Sequence, residues 1–188
     1  MKHVTHPWRS IHATLVAITL ILCLTPKLQA IEREDSAEVT DLLSQAAQEA
    51  AQLSRDADEM ESLLHSDVSW QTHADMLSRI RDDVNTLGKI VERLNATYQS
   101  GSEWQQQAVD RILPLLRELA SNTTAAINHL NVNRVRPTTP DYVNYLEENA
   151  ETAHRLAEMT ADLVKYAKSR TTLEKMEDKL QFPSTKEP

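Results

Sequence analysis

The sequence predicts an all-α protein: an antiparallel up-down-up-down four-helix bundle that follows an N-terminal signal segment. Apolar residues recur every three or four positions along several long stretches, and no stretch alternates apolar and polar residues as a strand would. The 188 residues include only 2 glycines. Short polar segments between the stretches require neighbouring helices to run in opposite directions. We therefore expect residues 37–170 to form one bundle domain.

Residues 1–30 have the composition of a secretory signal. Lys2 and Arg9 lie in a polar opening, residues 13–24 form an apolar run, and Ala30 ends the small-residue region expected before a cleavage site. A membrane-spanning helix needs about 20 apolar residues, and this run is shorter, so cleavage after Ala30 is the favoured interpretation. An uncleaved N-terminal membrane anchor is the alternative. The protein is expected to be exported, either to a periplasm or out of the cell.

Removal of residues 1–30 changes the chemistry of the chain. The single cysteine, Cys23, leaves with the signal, so the mature chain has no disulfide, no thiolate nucleophile and no sulfur ligand for a metal. The signal holds three of the 20 basic residues and none of the 28 acidic ones, which leaves a mature net charge of −11. An acidic chain repels phosphate backbones, and we expect no nucleic-acid partner.

The first two helices follow residues 31–36, which are predicted to be a flexible leader. Apolar positions from Val39 to Leu64 alternate in steps of four and three and predict the first helix. The same alternation from Trp70 to Tyr98 predicts the second helix, after a polar break at residues 65–69. Both seams are typical of helices that pack against one another along their length.

The third helix is predicted from the apolar stripe between Ala108 and Leu130. Gly101 marks the turn before it, and the spacing of Ser100 and Glu103 predicts a capping box at its start. Pro114 lies inside this helix, where it removes one backbone donor and crowds the preceding turn. We expect a bend near that position.

The fourth helix is predicted to begin at Thr139, with Pro140 at its first position and Asp141 in its first turn. Its apolar seam runs from Tyr142 to Ala167. Residues 171–188 are expected to form a helical extension, to about residue 180, and then a loose C-terminal tail.

One end of the predicted bundle collects histidine and aromatic side chains. The first and third helices end there, and the second and fourth begin there. Two histidines and a methionine together suit a transition metal or a non-covalent haem, but imidazoles near helix ends more commonly bond water or backbone groups. We expect no metal and no cofactor. The candidate ligand-binding residues are Met60, Trp70, His73, His129, Tyr142 and Tyr145.

The sequence contains no pattern that supports catalysis. Glu151 and His154 have the Glu-x-x-His spacing of di-iron bundles, but no second copy exists and both fall on outer positions of the fourth helix. A glycine-rich phosphate loop, a Gly-x-Ser-x-Gly elbow and a His-Glu-x-x-His zinc motif are all missing from the chain. The protein is therefore predicted not to be an enzyme.

Two hypotheses for the function remain. The favoured one is an exported interaction or scaffold module that binds a protein partner or associates with itself. The alternative is a carrier of a small ligand, a metal or a non-covalent haem at the histidine-rich end. Contact with a membrane is expected only if the signal segment stays uncleaved.

Overall fold

The computed structural model of the protein describes residues 33–134 and 138–180. These described residues form four α-helices: α1 (Ala37–Ser62), α2 (Trp70–Ala96), α3 (Glu103–Val132) and α4 (Pro140–Leu180). Single turns of 3₁₀ helix, Leu63–His65 and Tyr98–Ser100, lie in the first two connections. None of the described residues belongs to a β-strand. The predicted all-α class is confirmed, whereas the predicted signal segment lies outside the described residues.

Serine side chains cap the first two helices. The hydroxyl of Ser36 accepts a hydrogen bond from the Val39 amide, and that of Ser69 accepts one from the Thr72 amide. Each cap satisfies one of the amide groups that a helix leaves unpaired in its first turn.

The start of α3 differs from the prediction. Ser102 is the N-cap and forms a capping box with Gln105, so the predicted box of Ser100 and Glu103 is wrong. The physical reason is the 3₁₀ turn Tyr98–Ser100, which keeps Ser100 in the connection and shifts the helix start by two residues. Farther along, α3 runs through Pro114 as one continuous helix.

The fourth helix begins with Pro140, as predicted, and ends at Leu180. It has 41 residues and is about 60 Å long at 1.5 Å per residue. Its last buried residue is Ala167, and residues 171–180, which we call the α4 extension, are exposed apart from half-buried Glu177. The predicted tail, residues 181–188, lies outside the described residues.

The helices pack so that α1 contacts α2 and α4, and α3 contacts the same two helices. The predicted seams supply the core between them. Each large aliphatic side chain that is fully buried stabilises the fold by about 1.5 to 3 kcal/mol. The largest of these apolar side chains are Leu42, Leu43, Leu53, Met60, Leu77, Ile80, Leu87, Leu94, Ile112, Leu119 and Leu146.

Over residues 33–134 and 138–180, no helix contains an apolar stretch of the length that crossing a membrane requires.

Candidate functional site

Three of the predicted site residues meet where α2 and α4 begin and α3 ends. His73 and Tyr142 are 1% and 0% exposed, and the Tyr142 hydroxyl lies 3.2 Å from Nδ1 of His73. The His129 ring stacks on the Tyr142 ring with 5.5 Å between the ring centroids. Thr139 completes the group, because its hydroxyl lies 2.9 Å from Nε2 of His129. We call these four residues the His73 cluster.

Burial keeps the central pair of this cluster uncharged. It lowers the pKa of His73 below the ordinary value for histidine, and it raises the pKa of Tyr142 above the ordinary value for tyrosine. A neutral imidazole and a neutral phenol share one hydrogen bond here. Because neither group is charged, the pair needs no ion to balance a buried charge. A tyrosine with a raised pKa is a poor nucleophile and a poor acid at neutral pH.

The other predicted site residues have different surroundings. Met60 is buried in the hydrophobic core, and Tyr145 is half-buried against that core. The half-buried Trp70 ring lies under the guanidinium of Arg134, 4.7 Å from the ring centroid to Cζ, in cation–π geometry.

One ring nitrogen of each histidine in the His73 cluster is already hydrogen-bonded to a hydroxyl group of the protein. Nδ1 of His73 faces Tyr142 and Nε2 of His129 faces Thr139. Within the part of the chain that the structure describes, no three side chains of histidine, cysteine, aspartate or glutamate are grouped as a metal site. Glu151 and His154 are exposed, as their outer positions predicted.

Comparison with known protein families, curated proteins and solved structures finds no match to this chain. Its function has to be inferred from its own side chains.

A second polar group, which the sequence did not predict, lies where α1 and α3 begin. The Asp35 carboxylate accepts hydrogen bonds from the Ser102 hydroxyl at 2.7 Å and from Nε1 of Trp104 at 2.6 Å. Its other oxygen accepts from Nε of Arg170 at 3.0 Å. The Trp104 ring meets the Tyr166 ring edge-on at 5.1 Å. Asp35 thus connects the segment before α1 with α3 and α4.

Gln105 extends this connection with a fully buried side-chain amide. Its Oε1 accepts from the Ser36 and Ser102 amides at 2.9 and 3.0 Å. Its Nε2 donates to the Ser36 carbonyl at 2.9 Å and to the Thr40 hydroxyl at 3.0 Å. Gly101 leaves room for this side chain, since an added Cβ at Gly101 would lie 3.2 Å from Cβ of Gln105. Residues 33–36, the described part of the predicted flexible leader, therefore carry specific hydrogen bonds.

The α4 extension presents an apolar face to solvent. Leu173, Met176 and Leu180 are 57%, 55% and 59% exposed. Their spacing of three and four residues places them on one side of the helix, and Tyr166, which is also exposed, lies two turns before Leu173 on that side. Single exposed leucines are ordinary in soluble proteins, but several along one helix face are typical of a surface that binds another helix.

Proposed function

We propose that the protein is an exported, non-enzymatic interaction module. It is built as an antiparallel up-down-up-down four-helix bundle and presents the apolar face of the α4 extension to a protein partner. The observation that carries the proposal is the exposure of Leu173, Met176 and Leu180 on one side of a helix whose last ten residues have almost no buried side chains. A face of this spacing is suited to packing against a helix of another chain.

The antiparallel topology is supported by the helix ends that meet. Ser36, just before α1, bonds Gln105 in the first turn of α3, so these two helices begin at the same end. Tyr142, in the first turn of α4, bonds His73 in the first turn of α2, so those two helices begin together at the other end. Short connections between α1, α2 and α3 fit the same arrangement.

The lack of catalytic function is supported by the state of the His73 cluster. Its central tyrosine is fully buried, and both histidines already bond hydroxyl groups of the protein. A substrate or ligand would have to displace Tyr142 from the core before it reached His73. Export is supported by the signal-like composition of residues 1–30.

Site-specific photo-crosslinking in the cells that make the protein tests the docking surface. A photoreactive amino acid replaces Met176 in one version of the chain and Asp178 in another. Both positions are exposed, but two residues of helix turn the side chain by about 200°, so Asp178 lies on the opposite side and is the matched control. We expect a discrete protein adduct at position 176 and none at position 178.

The substitution Leu173→Lys should abolish the adduct at position 176, because it places a charge in the apolar face one turn away. Equal crosslinking at positions 176 and 178, or an adduct that survives Leu173→Lys, would contradict the proposal.

A further inference from the structure

Two carboxyl groups face each other between α1 and α2. Asp56 of α1 is 7% exposed, and its Oδ2 accepts a hydrogen bond from Nε2 of Gln52 at 3.0 Å. Asp83 of α2 is half-buried and lies within hydrogen-bonding reach of Asp56. Its Oδ2 is completely enclosed, and no N–H or O–H group donates to it. A carboxylate oxygen in that position loses its water without gaining a donor, which is costly.

The charges that raise the pKa of Asp83 are acidic: Glu49 and Asp56 of α1 and Asp82 of α2. Two basic side chains of the same helices bond other groups, Arg55 to Gln52 and Arg81 to Asp82. Among the described residues, α3, the other helix packed against α2, adds no charge to this set. Burial, the hydrogen bond to Asp56 and these negative charges together raise the pKa of Asp83 to about 7.

We propose that Asp56 and Asp83 share one proton below neutral pH and act as a proton-controlled latch between α1 and α2. A proton on Asp83 removes the negative charge from the carboxyl group whose enclosed oxygen has no donor, and it makes Asp83 a donor to the Asp56 carboxylate. Gln52 supplies the second donor to Asp56. Loss of the proton leaves two carboxylates side by side in a partly dehydrated interface, where their repulsion pushes the two helices apart.

The latch makes the stability of the fold depend on pH in a defined direction. In the unfolded chain Asp83 has its ordinary pKa of 3.8, whereas in the fold the value is about 7. The folded protein therefore holds more protons than the unfolded chain between these two values. The stabilisation from the shared proton is complete below about pH 4, falls as the pH rises, and is gone above about pH 7.

Carbon-13 NMR of the side-chain carboxyl groups in the full-length chain measures the proton directly. We expect the Asp83 carboxyl carbon to titrate with a midpoint near pH 7 and the Asp56 signal to shift with it. An Asp83 midpoint below pH 5 would overturn the proposal.

Two variants separate the latch from a general effect of charge. Asp83→Asn keeps a donor for Asp56 but has no proton to lose. The midpoint of urea unfolding of the natural chain should fall as the pH rises from 5 to 8, whereas that of Asp83→Asn should stay constant. Asp82→Asn removes the neighbouring charge, which is exposed and bonded to Arg81, and should retain most of the fall. Equal pH dependence in the natural chain and Asp83→Asn would refute the latch. If Asp83→Asn does not fold, the NMR titration of the natural chain decides alone.

Discussion

Gln105 joins the segment before α1 to the start of α3, and the substitution Gln105→Leu removes that connection while retaining a side chain of similar size. The amide is fully buried and makes four hydrogen bonds. Leucine leaves the Ser36 and Ser102 amides without their partner. The Ser36 carbonyl still accepts from the Thr40 amide and hydroxyl. The variant therefore tests whether residues 33–36 belong to the cooperative fold.

The expected loss of unfolding free energy follows from the burial of each polar group that loses its partner. Ser102 is buried, and an amide that loses its only partner in such a place costs about 1 to 3 kcal/mol. Ser36 is half-buried, so water replaces part of what its amide loses, and the cost there is about 0.5 kcal/mol. The sum is about 2.5 kcal/mol, a large share of the 5 to 15 kcal/mol that is typical of a domain.

Urea unfolding of the full-length chain, followed by tryptophan fluorescence and circular dichroism, measures this loss. Gln107→Leu is the matched control, because Gln107 lies in the same turn of α3 but is exposed and bonds only Glu103. We expect Gln107→Leu to change the free energy of unfolding by less than about 0.5 kcal/mol. Equal unfolding midpoints for Gln105→Leu and Gln107→Leu would refute the reasoning, since the buried network would then contribute no stability.

Three further predictions concern single side chains. Because burial lowers the pKa of His73, the unfolded chain takes up more protons at this side chain below about pH 6.5, which opposes the stabilisation from the Asp83 proton. His73→Gln should therefore increase the gain in unfolding free energy that urea titrations detect as the pH falls from 7 to 5. Tyr142→Phe should lower the unfolding free energy by about 1 kcal/mol in the same assay, whereas Tyr145→Phe, at a half-buried position, should lower it by less. Equal losses would contradict the importance of the hydrogen bond to His73. Pro114→Ala, at an exposed position inside α3, should raise the unfolding free energy by about 1 to 2 kcal/mol because the Asp110 carbonyl regains a donor. A melting temperature lower than that of the natural chain would contradict this prediction.

The helices could be predicted because their signals are local. Ser69 before Trp70 and Thr139 before Pro140 mark two helix starts, and the steps of three and four residues identify the inward faces. The start of α3 was predicted two residues early, because the 3₁₀ turn at Tyr98–Ser100 has no distinctive sequence signal.

The contacts between helices were harder to predict, since they depend on the rotation and register of each helix. The sequence placed His73, His129 and Tyr142 at one end of the bundle, but it identified Thr139 only as a cap and not as the partner of His129. The helical pattern gives no sign that Asp83 lies against Asp56, which is 27 positions earlier on another helix. Periodicity identifies the face on which a residue lies, but it does not identify the residue opposite.

A native mass spectrum of the protein released by its own cells tests most directly whether it is an exported interaction module without a cofactor. We predict a chain that begins at Ile31, carries no small-molecule mass, and lies in a complex whose additional mass is protein. A stoichiometric excess mass that matches haem, a metal or an organic ligand would contradict this prediction and would make the His73 cluster the working site.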